Sequence, residues 1–146
     1  MKFNIITVTY GERFKFLKQV LDATISDINV DKIILVDNAS LNKKEIDEYI
    51  SEVNSKQQKI ILVRHNDNLG SAGGFKSGIL EARKHFCDYV LLLDDDNVPE
   101  SGWSKKVTDL TNFFVNEKVV ISLNRHNAVG NNIDFSVQDL YKKNYL

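Results

Sequence analysis

The stretch YVLLLDDDNVP, residues 89–99, decides the fold. Its run Val90, Leu91, Leu92 and Leu93 has no polar alternation, which predicts a strand buried on both faces, as in a parallel sheet. Asp94, Asp95 and Asp96 follow directly. Three adjacent carboxylates repel one another unless positive charge lies among them. Hard oxygen ligands at a strand exit suit a hard divalent cation, Mn²⁺ or Mg²⁺. In open α/β sheets, ligands collect beyond the carboxyl ends of the strands.

Upstream, residues 3–9 (FNIITVT), 32–36 (KIILV) and 60–64 (IILVR) are rich in β-branched residues and read as three more strands. Helical patterns lie between them. Phe14, Leu17, Val20, Leu21 and Ile25 mark one amphipathic helix. Ile46, Tyr49 and Ile50 mark a second that runs to about Val53, with Ser40 or Asn42 as its N-cap. Residues 65–74 (HNDNLGSAGG) read as a polar, glycine-rich loop, and residues 75–86 as a third helix with Ile79, Ala82 and Phe86 on one face. Downstream, residues 103–115 predict another helix and residues 118–124 (KVVISLN) a fifth strand. The alternation βαβαβαβαβ predicts a three-layer α/β/α sandwich with a mainly parallel sheet. Composition becomes irregular after residue 124, which divides the chain into 1–124, one folded domain, and 125–146, a tail or the start of a further part.

The chain has 146 residues, enough for one domain or part of one. It is 42% hydrophobic and 27% charged, as in water-soluble globular domains. A net charge of −1 gives no electrostatic reason to expect nucleic acid as a partner. The single cysteine, Cys87, excludes an internal disulfide, fits a reducing compartment, and reads as a small buried apolar residue. No apolar run reaches the roughly 18–20 residues of a membrane span, and no signal-peptide pattern opens the sequence. The expectation is a cytoplasmic protein, with peripheral attachment to the inner membrane face compatible.

Each strand end carries its own chemistry: Thr9, Tyr10, Glu12 and Arg13; then Asp37 and Asn38; then Asn66, Asn68, Gly70, Gly73 and Gly74; then Asp94, Asp95 and Asp96. Parallel strands bring all four groups to one edge, where they describe a site for a polar ligand and a metal. The glycine segment is neither G-x-G-x-x-G nor a P-loop. Its glycines would let backbone approach a ligand, and a following helix N-terminus favours anionic groups. A nucleotide sugar fits this set. Asp37 would accept from a base N–H, backbone at Thr9 and Tyr10 would line the base, and Arg13 would meet a phosphate or a base carbonyl. Asp94 would face ribose and metal, Asp95 would lie along the donor, and Asp96 would hold a cation bridging the diphosphate.

The segments ITVTY (6–10) with Arg13, LVDNAS (35–40), NLGSAGGF (68–75) with Gly78, and LDDD (93–96) together resemble the GT-A fold family 2 glycosyltransferases. The glycine segment and triple aspartate resemble the rhamnosyl- and galactofuranosyltransferase branch most, and the resemblance spans roughly residues 2–120. It implies a nucleotide-diphosphate-sugar donor, UDP- or dTDP-linked, a divalent cation, and inverting transfer to a glycan or lipid-linked acceptor in cell-surface polysaccharide synthesis. By position Asp37 corresponds to the base-binding aspartate, Asp94 and Asp96 to the D-x-D pair, and Asn68 with Gly70, Gly73 and Gly74 to the donor-lining segment. Arg13 corresponds to the arginine of a T-Y-N-R motif in which Gly11 and Glu12 stand here between Tyr10 and Arg13. Such enzymes normally continue further, with an acceptor site and a carboxylate base; Asp134 and Asp139 are the only later carboxylates here. The chain is therefore expected to be the donor-binding part, a fragment or a short form, with exposed apolar surface and a tendency to self-associate. Three other readings compete: a binding or assembly module without turnover, a sugar-nucleotide nucleotidyltransferase, and a phosphoryl-transfer enzyme with Asp94 as nucleophile and Asp96 as acid/base.

Overall fold

The computed structural model describes residues 1–112. Within them the order is β1 (Phe3–Gly11), α1 (Phe14–Ile25), β2 (Val30–Ser40), α2 (Lys43–Lys56), β3 (Ile60–His65), α3 (Gly70–Ala82), β4 (Tyr89–Asp94) and α4 (Trp103–Thr111). All pairings are parallel, in the order β3-β2-β1-β4. The expected fifth strand at 118–124, the end of the last helix near Val115, and the tail 125–146 lie outside the described residues. No helix among the described residues is long and apolar enough to cross a membrane.

Strand alternation builds two cores. Phe3, Ile5, Ile33, Leu35 and Ile60 face one side, where Leu17, Leu21 and Ile25 of α1, Ile46 of α2, and Trp103 and Val107 of α4 cover them. The Trp103 ring packs edge-on against Phe3 at 5.3 Å. Ile6, Val8, Ile34 and Val36 face the other side, beneath Ala82 and Phe75 of α3. This is the expected three-layer α/β/α arrangement.

The helix α3 departs from expectation. It begins at Gly70, so residues 70–74 are its first turns and not a loop, and it ends at Ala82. Its buried face is Gly74, Gly78 and Ala82, one residue per turn, while Ile79 is exposed and Phe86 is 87% exposed. The glycines explain the reversal. A Cβ on Gly74 would lie 2.5 Å from Val8 Cγ1, and one on Gly78 would run into Ile6 Cγ2 and stand 3.2 Å from Val36 Cγ2. The helix backbone sits directly on β1 and β2, and no large side chain fits between.

The strand β4 also departs from expectation. Tyr89, Leu91 and Leu93 pack into the first core, but Val90 and Leu92 are 45% and 50% exposed. The strand pairs with β1 and lies at the edge of the described sheet, beyond the reach of α3. An unbroken apolar run therefore does not by itself mean burial on both faces. Cys87 is half-buried, and burial is the main reason its thiol is pushed up from its ordinary value.

Candidate functional site

The carboxyl ends of β1, β2, β3 and β4 meet at one edge, as parallel pairing requires. Side-chain alternation then sorts the polar residues onto the two faces. Thr9, Asp37 and Arg64 form one row across β1, β2 and β3, on the side of α1 and α2. Asn38 and His65 are paired on the α3 side.

Asp37 is fully buried. Its Oδ2 accepts from Arg64 Nε at 2.7 Å, and its Oδ1 accepts from the Ser40 N–H at 2.7 Å. The second bond closes a bulge. Thr9 pairs with Asp37 but Gly11 with Ser40, so β2 carries one extra residue there, and Ala39 adopts φ 62°. That conformation costs a non-glycine residue about 1 kcal/mol, and the Asp37–Ser40 bond holds it in place. Arg64 reaches on to α2, where Nη1 and Nη2 donate to Asp47 at 3.1 and 2.8 Å. The bonds to Asp47 foremost, and to Asp37 against the opposing effect of burial, raise the Arg64 pKa further, so it stays charged. Sequence reasoning gave Arg64 no role. The signal was present: a charged residue closes an apolar strand that parallel pairing sets beside a strand ending in aspartate.

Asn38 ties the β3–α3 connection to the sheet. Its Nδ2 donates to Asn68 Oδ1 at 2.8 Å and to the Gly70 carbonyl at 3.1 Å, while its Oδ1 accepts from the Leu69 N–H at 3.0 Å. His65 Nδ1 lies 3.2 Å from the same oxygen. Asn68 Oδ1 also accepts from the Gly70 N–H at 2.9 Å. Gly70 turns the chain into α3 at φ 70°, a value that favours glycine. Asn68 thus shapes the helix entrance, while Ser71 and Ala72 are exposed at its first turn. Gly73 is spaced against Leu69, and Gly74 against Val8, so these two glycines have packing reasons of their own.

The expected N-cap behaves differently too. Asn42 precedes α2 but makes no side-chain cap bond to it. Its Oδ1 accepts instead from the Phe14 N–H at 3.3 Å, an otherwise orphan amide at the start of α1. Asn42 joins the β2 end to the β1–α1 loop.

That loop carries Arg13. Its Nε lies 3.0 and 2.9 Å from the two oxygens of Asp95, and its Nη2 lies 2.8 Å from Asp95 Oδ1 and 2.9 Å from Asp96 Oδ2. Tyr10 and Phe16 place their rings 5.3 and 5.4 Å from the guanidinium carbon. The hydrogen bond to Asp95 is the main cause that raises the Arg13 pKa above its ordinary value. Arg13, reaching across from the first strand end, brings positive charge to Asp95 and Asp96 of the triplet.

The three aspartates have distinct environments. The Asp95 side chain is 5% exposed and held by Arg13, whereas that of Asp96 is 46% exposed. Asp94, paired with Val8, ends β4 on its exposed face, with Asn97 Nδ2 3.4 Å from its Oδ2. Among the described residues no group of three or more His, Cys, Asp or Glu side chains converges as a metal cage. Asp94 and Asp96 offer hard oxygen donors of the type Mg²⁺ and Mn²⁺ take, and such ions commonly use one or two carboxylates plus phosphate oxygens and water. The donor set therefore fits a cation shared with a phosphate ligand.

Thr9 and Ser40 are buried, and their hydroxyls have no hydrogen-bond partner among the described residues. Tyr10 is 47% exposed at the rim. A separate hollow of about 220 Å³ opens between α1 and α2, lined by Lys18, Asp22, Tyr49 and Glu52 among others. It lies towards the C-terminal halves of those helices and takes no part in the strand-end constellation.

The sequence matches the family described as Glycosyl transferase family 2 over residues 4–142. It is 29% identical over 97 residues to an uncharacterized glycosyltransferase of Methanocaldococcus jannaschii, covering 65% of this chain and 32% of that protein. Among solved structures, residues 1–349 of S. aureus TarS superpose with a TM-score of 0.60 at 18% identity, covering 84% of this chain and 39% of that one. The same TarS region in complex with UDP-GlcNAc gives a TM-score of 0.60, and with UDP 0.59, each at 18% identity. These cover 84% of this chain in both cases and 37% and 38% of the TarS chains. The chain thus spans about a third of the M. jannaschii protein's length (32%) and 39% of the TarS 1–349 chain.

Proposed function

The chain belongs to glycosyl transferase family 2 and has the GT-A fold, and from that premise we propose that it forms the donor-binding part of an enzyme that transfers a sugar from a nucleotide-diphosphate sugar. The observation that carries this reading is the meeting, at one parallel-sheet edge, of Asp37, Arg13 and the aspartate triplet with the Asn68–Gly70 entrance to α3. UDP-GlcNAc bound to TarS supports a UDP-sugar as the donor class.

In this reading Asp37 accepts from a base N–H. A carboxylate offers about four acceptor sites, and Arg64 and Ser40 use two of them. Arg64 keeps the carboxylate oriented, and the unpartnered Thr9 and Ser40 hydroxyls offer polar contacts to the nucleoside. Asp94 and Asp96 would hold the divalent cation that accompanies the diphosphate. When bound, the cation stabilises the charge that grows on the departing nucleoside diphosphate. Asp95 is a structural acceptor for Arg13. The first turn of α3, where Asn68 already holds the Gly70 N–H, lies along the donor with Gly70, Gly73 and Gly74. Transfer with inversion to a glycan or lipid-linked acceptor, on the cytoplasmic side of a membrane, completes the proposal. No carboxylate among the described residues is assigned as acceptor base. Val90 and Leu92, exposed apolar residues on β4, support self-association.

Isothermal titration with UDP, GDP and dTDP, with and without Mn²⁺, tests it. UDP or dTDP should bind, more tightly with Mn²⁺, and Asp96→Ala should remove the metal-dependent part. Absence of binding by every nucleotide in both conditions would refute the donor-site reading.

A further inference from the structure

Helix α3 is turned inside out. Its sheet-facing side carries Gly74, Gly78 and Ala82, and its larger aliphatic residues point away from the core. Lys76, Ile79, Leu80 and Arg83 stand at i, i+3, i+4 and i+7, which is one face of a helix. All four are exposed, Ile79 by 42% and Leu80 by 52%. Arg83 follows the last helical residue but keeps helical backbone angles, so it completes that face. Phe86, in the segment joining α3 to β4, is 87% exposed. We infer that the outer face of α3 is a docking surface for an anionic lipid bilayer. This goes beyond the donor-site reading and does not depend on it.

The charge on this face runs against that of the chain. The whole sequence sums to −1, yet residues 70–86 hold three cations, Lys76, Arg83 and Lys84, and one carboxylate, Glu81. Glu81 is already engaged. Lys84 Nζ donates to it at 2.6 Å, His85 Nε2 lies 3.4 Å away, and the bond to Lys84 is the main cause that lowers its pKa. Lys76 and Arg83 have no acidic partner among the described residues. Two unpaired cations thus bracket the exposed aliphatic pair. At a lipid–water interface such apolar side chains enter the acyl boundary, and the long cationic stems reach back to the phosphates. Only one side of α3 is available, because Gly74 and Gly78 seat the other on β1 and β2. A groove-type protein partner encloses a helix, whereas a bilayer meets a single face. A helix lying flat on the bilayer also brings its Gly70 end, at the polar sheet edge, level with the headgroups.

Cosedimentation of the full chain with vesicles of phosphatidylcholine, alone or mixed with phosphatidylglycerol, tests this. The chain should pellet with the mixed vesicles, far less with the neutral ones, and less again as salt rises. Lys76→Gln/Arg83→Gln should weaken partition onto the mixed vesicles by about 25-fold, at about fivefold per cation. Leu80→Gln/Phe86→Gln should weaken it by about tenfold. Lys43→Gln/Lys44→Gln removes two exposed cations from α2, across the sheet from α3, and should change it by less than about twofold. All these side chains are exposed, so circular dichroism should match the wild type in each variant. A wild type that ignores anionic vesicles overturns the inference, and so does an α2 variant that loses as much as the α3 charge variant. Sedimentation velocity and urea unfolding expose other occupants. If Leu80→Gln/Phe86→Gln yields a smaller particle with vesicle binding intact, a second copy covers this face. If it lowers the urea midpoint with vesicle binding intact, another part of the chain does. Either result displaces the bilayer.

Discussion

Removing the Arg64 guanidinium should destabilise the protein far more than removing the surface carboxylate it also touches. Asp37 is fully buried, and Arg64 Nε approaches its Oδ2 to 2.7 Å. Breaking a buried ion pair by deleting one partner costs about 3–5 kcal/mol. Two features reduce that here. The Arg64 side chain is 29% exposed, so water can enter the vacated space, and the Ser40 N–H still holds Asp37 Oδ1. Arg64→Ala is therefore expected to cost about 2–3 kcal/mol. Asp47 is 52% exposed, and its deletion should cost about 0.5 kcal/mol despite the two hydrogen bonds it accepts. The difference of about 2 kcal/mol corresponds to about a thirtyfold change in the folded-to-unfolded ratio. Urea unfolding followed by fluorescence reads it well, because the single tryptophan, Trp103, packs on Phe3 in the core. Adding Asp37→Asn to Arg64→Ala should recover about 1 kcal/mol, since the unpaired charge is then gone. The reasoning fails if Arg64→Ala shifts the midpoint no more than Asp47→Ala does.

Gly78→Ala should lower stability even though alanine favours helices by about 1 kcal/mol. The new methyl meets Ile6 Cγ2 and Val36 Cγ2, both on stiff β-branched side chains, and overpacking of this kind costs about 1–3 kcal/mol. The same urea assay decides it, and a stabilised variant would show that α3 can lift off the sheet freely. Tyr49 provides a pH prediction. Burial first, and then its 2.8 Å hydrogen bond to Asp22, raise the phenol well above its ordinary value. The folded phenol therefore keeps its proton where unfolded tyrosine ionises, near pH 10. Its contribution to stability should be complete below that pH and decline as pH rises beyond it. Ultraviolet titration of wild type against Tyr49→Phe isolates this group from the other tyrosines, and a difference curve centred near pH 10 would contradict the structure.

Much of the fold was readable because its signals are local. The β-branched runs at 3–9, 32–36 and 60–64 and the apolar spacing of α1 depend on short windows, and each became the expected element. What the sequence concealed depends on neighbours. Leu92 looks as apolar as Leu91, but only Leu91 packs into the core; among the described residues Leu92 faces the other side of β4 and is exposed. Gly70 to Gly74 look like a loop because glycine is a poor helix former. They are helical because α3 must lie close to Val8 and Ile6, and that requirement outweighs propensity. Asp37, Arg13 and the aspartates were legible as a group, since parallel strands gather their own ends. Their partners were not. Arg64 and Asp95 acquire their roles from a register and a loop crossing that separate residues 27 and 82 positions apart in sequence.

Those two pairings share one physical logic. A carboxylate at a sheet edge that must hold a fixed orientation needs a cation that does not lose its proton, and arginine is that cation. Arg64 serves Asp37 and Arg13 serves Asp95, each with a second, more exposed carboxylate on the same guanidinium: Asp47 for Arg64, Asp96 for Arg13. In the first case the exposed partner sits on a helix, so the guanidinium links sheet to helix. In the second the exposed partner sits beside the end of β4, so the guanidinium links the β1–α1 loop to the turn after β4. The same arrangement thus ties a helix to the sheet at one place on the edge and a loop to it at another. The Arg64 and Asp47 variants measure the first of these ties through stability.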